Sequence, residues 1–145
     1  MNKNEMMIEF GSDAKNEGLA RIVVASFLTR TNPTLNEVED VKTAVSEAVT
    51  NSIIHGYENG DGKIIIKAYI EDRTIHIEII DYGCGIPDID KAMEPMYTSK
   101  GDENRSGMGF SFMEAFMDEL VVESKVGEGT TIKMKKKIGA EQETY

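Results

Sequence analysis

Glu47, Asn51 and His55 recur at four-residue intervals in the stretch Glu47-Ala48-Val49-Thr50-Asn51-Ser52-Ile53-Ile54-His55-Gly56. At about 100° per residue a helix would stack them along one line. A carboxylate in such a line can accept a proton or position a nucleophile. An amide oxygen is a hard ligand of the kind Mg²⁺ takes. The plain alternative is the solvated margin of an amphipathic helix. A second carboxylate, Asp81, opens Asp81-Tyr82-Gly83-Cys84-Gly85-Ile86-Pro87 directly after an alternating run. At a strand end it could accept hydrogen bonds from an exocyclic amine, while Gly83 and Gly85 allow a sharp turn and close approach of a ligand. A hairpin-type loop with a turn aspartate would look the same. Gly107-Met108-Gly109 opens a further helical run, where free amides and about half a unit of dipole charge attract an anion. Neither the P-loop nor the dinucleotide glycine fingerprint is present. Gly127-Glu128-Gly129-Thr130-Thr131 reads on spacing alone as a hairpin turn. Cys84 reads as a small packing residue, and His76 as an exposed strand residue.

These residues need a frame. Thr34 followed by Glu37 is a capping-box start. The helix it opens runs from about 35 to 55, with Val38, Val41, Val45, Val49 and Ser52 as the core stripe and Gly56 as C-cap. An earlier helix spans residues 14–30, after the turn residues Gly11-Ser12-Asp13. Leu19, Ile22, Val23, Ser26 and Phe27 keep its apolar spacing, which leaves Arg21 and Arg30 exposed. Residues 6–10 form an edge strand. Residues 63–70 and 74–80 form an antiparallel hairpin, the second strand presenting Ile75, Ile77 and Ile79 on one face. Residues 88–106 have weak periodicity, and a connection that long is usually a lid or a disordered segment. A helix from 110 to about 119 and strands at 120–125 and 131–137 follow. The tail, about 139–145, is polar and frayed. The order β-α-α-β-β-lid-α-β-β gives an α+β two-layer sandwich in one domain, residues 1–145, with a mixed, mostly antiparallel sheet and helices on one face.

Composition narrows the partners. With 16 lysines and arginines against 26 acidic residues, the net charge is −10. A nucleic-acid surface needs the opposite field. A basic protein partner is compatible. One cysteine excludes an intrachain disulfide. No secretory signal or membrane-length apolar run appears, so the expectation is a soluble cytoplasmic protein without membrane contact.

The order of motifs is more specific than any one of them: an E-x-x-x-N helix, D-x-G-x-G-I after a strand, a lid, G-x-G at a helix start, and G-x-G-T-T before a terminal strand. It resembles the GHKL (Bergerat) ATP-binding fold shared by gyrase-type, heat-shock, mismatch-repair and histidine-kinase ATPases, over residues 6–137. The wording of residues 47–57 is similar to the bacterial anti-sigma serine kinases, and within them to the sporulation branch of Bacillus-type bacteria that acts on sigma factor F.

That resemblance implies roles by position. Asn51 would bind Mg²⁺ bridging the phosphates, and Glu47 would be the general base for an attacking hydroxyl. Asp81 would bind the adenine amino group, assisted by Thr130, and Gly83 and Gly85 would admit the nucleotide. Gly107, Gly109 and the lid residues Thr98, Ser99, Lys100 and Arg105 would surround the phosphates of ATP or ADP. His55 would contact the phosphate side or be a satisfied helix-end histidine. The implied activity is a Mg²⁺-ATP-dependent protein serine kinase that phosphorylates an anti-anti-sigma protein and also inhibits a sigma-F-like sigma factor. The alternatives are a nucleotide-gated sigma-binding module without kinase activity and a plain ATPase. Neither a helix with a phospho-accepting histidine nor a second domain donating a lysine is evident, which disfavours the histidine-kinase and gyrase-type reactions. Arg21 is the candidate for partner recognition, since its guanidinium fork suits carboxylates. The resemblance also implies a homodimer, joined through the first strand.

Overall fold

The computed structural model describes residues 3–94 and 109–139. The sheet is built from alternation. In β2 (Lys63–Glu71) Ile64, Ile66 and Ala68 are buried, and in β3 (Thr74–Asp81) Ile75, Ile77 and Ile79 are. The two strands turn at Asp72 and Arg73, both with positive φ, as a tight two-residue hairpin turn requires. β1 (Asn4–Gly11) pairs with β2 at one edge. β4 (Glu119–Lys125) and β5 (Gly129–Lys137) form a second hairpin whose β5 pairs with β3. The order is β1-β2-β3-β5-β4, and every pairing is antiparallel, so no parallel pair of a mixed sheet occurs among the described strands.

Helices cover one face. α2 (Leu35–Asn51) lies between α1 (Asn16–Leu28) and α4 (Gly109–Phe116), which pack on either side of it. Val41, Ala44, Val45, Ala48 and Val49 are fully buried from α2. A short turn of helix, α3 (Ile89–Ala92), follows the Asp81 loop. The other sheet face carries opposite charges in neighbouring strands, with ion pairs such as Lys133–Glu123 at 3.1 Å and Lys135–Glu119 at 2.7 Å. His76, expected as an exposed strand residue, is half-buried there and stacks on Tyr69 at 4.2 Å.

Three sequence expectations change. The core stripe of α1 is Ala20, Val24, Phe27 and Leu28, while Leu19 and Ile22 are 50% and 63% exposed. Small Ala20 and Val24 permit the close approach of α2, and packing, not apolar size, sets the face. Gly56 is not a left-handed C-cap, because α2 runs on into a wider turn, Ser52–Gly56, closed by Tyr57 N–H donating to the Ser52 carbonyl. Such i→i+5 turns occur often at functional sites. α4 ends at Phe116 and not near 119, since Glu119 already belongs to β4.

The capping box is present: Thr34 Oγ1 accepts from Glu37 N–H, and Thr34 N–H donates to Glu37 Oε1 at 2.9 Å. Glu37 Oε2 also accepts from Gly139 N–H at 2.8 Å, fastening the start of α2 to the end of β5. Burial works against the Glu37 charge, but hydrogen bonds from Thr34 and Gly139, with Lys136 nearby, outweigh it and hold its pKa below the ordinary 4.5. A depressed carboxylate stabilises the fold above its unfolded pKa and loses that contribution as pH falls through the folded value. Glu37→Gln should therefore lower stability by about 1–2 kcal/mol at pH 7. In urea titrations the gap to the unsubstituted chain should narrow only below about pH 4.5. A gap independent of pH would show that the charge is immaterial.

Candidate functional site

The end of α2, the end of β3 and the start of β5 meet at one carboxylate. Asp81 is the last residue of β3, paired across the sheet with Ile64 and Thr130. It is 2% exposed. Its Oδ2 accepts from the Ser52 hydroxyl at 2.7 Å and its Oδ1 from Gly83 N–H at 2.9 Å. The Thr130 N–H lies near and favours the charged form. A carboxylate has about four acceptor positions, so the two hydrogen bonds from Ser52 and Gly83 leave room for a further donor. Burial raises the Asp81 pKa, and the hydrogen bonds from Ser52, Gly83 and Thr130 oppose that rise. A donor supplied by a ligand would satisfy the carboxylate further, which is the chemistry that suits an exocyclic amine.

The surrounding backbone is fitted to this group. A Cβ on Gly83 would lie 2.1 Å from the Gly56 carbonyl oxygen, so only glycine allows the loop to lie on the wide turn. Cys84 N–H donates to that same carbonyl at 2.8 Å. Gly85 has φ +78° and lies against the Lys125 backbone. Tyr57 braces the other side: its hydroxyl donates to the Lys63 carbonyl and accepts from Tyr82 N–H at 2.7 Å. The Cys84 thiol faces the His55 carbonyl at 3.1 Å.

Glu47 and Asn51 are half-buried in the last two turns of α2, leading to Ser52 and Asp81. His55 is half-buried in the wide turn, which takes it off the regular spacing of the other two. Thr130 is 4% exposed, and its Oγ1 lies 2.8 Å from Ser124 Oγ. Ser124 Oγ in turn accepts from Ile86 N–H at 2.8 Å, joining the Asp81 loop to the β4–β5 hairpin. Gly109 begins α4. Thr98, Ser99, Lys100, Arg105 and Gly107 lie outside the described residues, as does most of the expected lid. Among the described residues no cluster of three or more metal-ligating side chains occurs. An amide oxygen such as that of Asn51 suits a Mg²⁺ ion that takes its remaining ligands from phosphates and water. Sequence reasoning had Ser52 as part of an apolar stripe and gave Ser124 and Tyr57 no role. A hydroxyl within an otherwise aliphatic stripe was the available signal for Ser52.

The histidine kinase-like ATPase domain model matches residues 10–136. The chain is 58% identical over 137 residues to the anti-sigma F factor of Clostridium acetobutylicum, covering 94% of this chain and 96% of that protein. It is 50% identical over 137 residues to that of Geobacillus kaustophilus, covering 94% of each. The catalytic domain of the histidine kinase ThkA superposes with a TM-score of 0.57 at 14% identity, covering 92% of this chain and 96% of that domain. No helix among the described residues is long and apolar enough to cross a membrane.

A carboxyl whose folded pKa is raised weakens the fold above its unfolded pKa, near 3.8, until the folded value is passed. The stability of Asp81→Asn relative to the unsubstituted chain, without nucleotide, should therefore rise with pH from about 4 upward. Chemical denaturation at a series of pH values measures it. A flat or falling difference would contradict the burial of charge.

Proposed function

Since the chain belongs to the histidine kinase-like ATPase family and, within it, to the anti-sigma F factors, we propose that it is an adenine-nucleotide-dependent protein serine kinase. In this reading it phosphorylates an anti-anti-sigma protein and also binds and inhibits a sigma factor. The observation that carries the nucleotide part is the buried Asp81 carboxylate, held by the Ser52 hydroxyl and the Gly83 N–H with acceptor capacity left over. Asp81 accepts from the adenine amine, with Thr130 beside it at the base edge. Gly83 and Gly85 shape the loop the base meets. Asn51 offers its amide oxygen to Mg²⁺, and His55 and Gly109 serve the phosphate side, with Thr98, Ser99, Lys100, Arg105 and Gly107. The ion supplies charge neutralisation between the phosphates. Glu47, one helical turn before Asn51, takes the proton of the attacking serine hydroxyl. Phosphoryl transfer asks chiefly for alignment and electrostatics, so a base on a rigid helix is apt.

The partner face is proposed on α1. Arg21 ion-pairs with Glu17 at 3.5 Å, and its side chain is 42% exposed, less than a free surface arginine would be. The exposed Leu19 and Ile22 add apolar area on the same helix. A second copy could add to the edge of β1, which pairs on one side only among the described strands.

Glu47→Ala should bind Mg²⁺-ATP within a few-fold of normal and lose at least about 100-fold in phosphoryl transfer. Intact mass of the anti-anti-sigma protein after incubation, read as the gain of one phosphate, tests it. Near-normal gain removes Glu47 as the base; phosphate released to water with no gain favours an ATPase. Arg21→Glu should weaken capture of both protein partners about tenfold or more. Unaltered calorimetric affinity for both would dismiss Arg21.

A further inference from the structure

We infer that Ser52 selects between 6-amino and 6-oxo purines, by fixing Asp81 as an acceptor toward the C6 position of the base. This rests on the nucleotide reading above and names the residue that decides which purine it takes. Ser52 is fully buried, and its one hydroxyl proton lies on Asp81 Oδ2 at 2.7 Å. A serine hydroxyl has a single proton to give. With that proton committed, the carboxylate is stabilised in its ionised form and shows lone pairs to the ligand. A 6-amine donates to such a group, whereas a 6-oxo oxygen meets repulsion. If the carboxyl instead carried a proton, it would donate and the preference would reverse.

The groups facing Asp81 support this assignment to Ser52. From the end of α2 it receives the serine hydroxyl and from its own loop the Gly83 N–H, with the Thr130 N–H of β5 near it. Tyr57 is the titratable neighbour, and burial raises its phenol pKa, so it stays neutral. No cation is among the groups acting on Asp81 within the described residues. The Gly83 and Thr130 groups are backbone amides that no side-chain change removes. Ser52 is the side chain through which the charge state can be altered. Because burial already lifts the Asp81 pKa, losing one charge-assisted bond raises it further.

The test is the affinity of the full chain, with Mg²⁺, for three triphosphates across pH 5 to 8: ATP, inosine triphosphate and purine riboside triphosphate, which has no C6 substituent. For the unsubstituted chain ATP should be preferred over inosine triphosphate at neutral pH, and the preference should fall as pH approaches the Asp81 carboxyl's own pKa. In Ser52→Ala the same fall should lie about one pH unit higher, since a hydrogen bond to a charged group contributes at about that level. Within that fall the preference at a given pH should be up to about tenfold lower than in the unsubstituted chain, while the affinity for purine riboside triphosphate stays within about twofold. Ser52→Thr, which keeps a hydroxyl, should restore the original profile. An equal loss for all three ligands would make Ser52 a packing residue and overturn the inference. If Ser52→Ala does not fold, the unsubstituted chain decides: no preference for ATP over inosine triphosphate at neutral pH overturns it. Failure of the unsubstituted chain to bind any of the three would instead remove the nucleotide reading itself.

Discussion

An ionisable group with almost no exposure is costly unless its hydrogen bonds are arranged in advance. Asp81 meets that condition with polar groups from three separate parts of the chain: hydrogen bonds from the end of α2 and from the loop after β3, and the Thr130 N–H near it at the start of β5. Those three parts cannot drift independently without stranding the charge. The constraint therefore fixes the geometry of this junction and also explains the local composition. Gly56 and Gly83 are small because their backbones touch, and a Cβ on Gly56 would come within 3.0 Å of the carboxylate. The wide turn at Ser52–Gly56 brings the serine and this glycine together beside the strand end.

The rest of the fold holds that junction in place. Rows of isoleucine on β2 and β3 seat the helices on one face, and the stripe of small residues on α2 lets α1 and α4 pack against it. Far from the site, Glu37 ties the first turn of α2 to Gly139 after β5. The ends of α2 are thus anchored by two buried carboxylates with opposite perturbations. Glu37, richly hydrogen-bonded, is held below its ordinary pKa; Asp81, with burial dominant, is raised. The first stabilises the frame at neutral pH, and the second leaves it incompletely compensated. Regions that bind are commonly the ones that give up some stability in this way.

Much of this was legible in the sequence because it is local. The capping box at Thr34, the alternation of β3 and the four-residue step from Glu47 to Asn51 each depend on near neighbours, and each stands in the structure. The face of α1 was not, because Leu19 and Ile22 are as apolar as core residues and only the closeness of α2 reveals Ala20 and Val24 as the inward side. Gly56 had the position of a helix cap, but its role comes from Asp81, 25 residues on. Ser124 gave no signal at all: its hydroxyl bridges Ile86 and Thr130 through sheet register, which a single strand does not display.

The family supplies the expectation of an adenine nucleotide, and the buried Asp81 carboxylate is the place proposed for its base. A titration of the isotopically labelled chain with Mg²⁺-ADP, followed by amide proton–nitrogen correlation, joins the two most directly. The amides of Gly83, which donates to Asp81, and of Thr130 beside it should shift saturably and together with those of Asn51 and Ser52. Saturable binding that leaves Gly83 and Thr130 unmoved would place the base elsewhere and contradict the account.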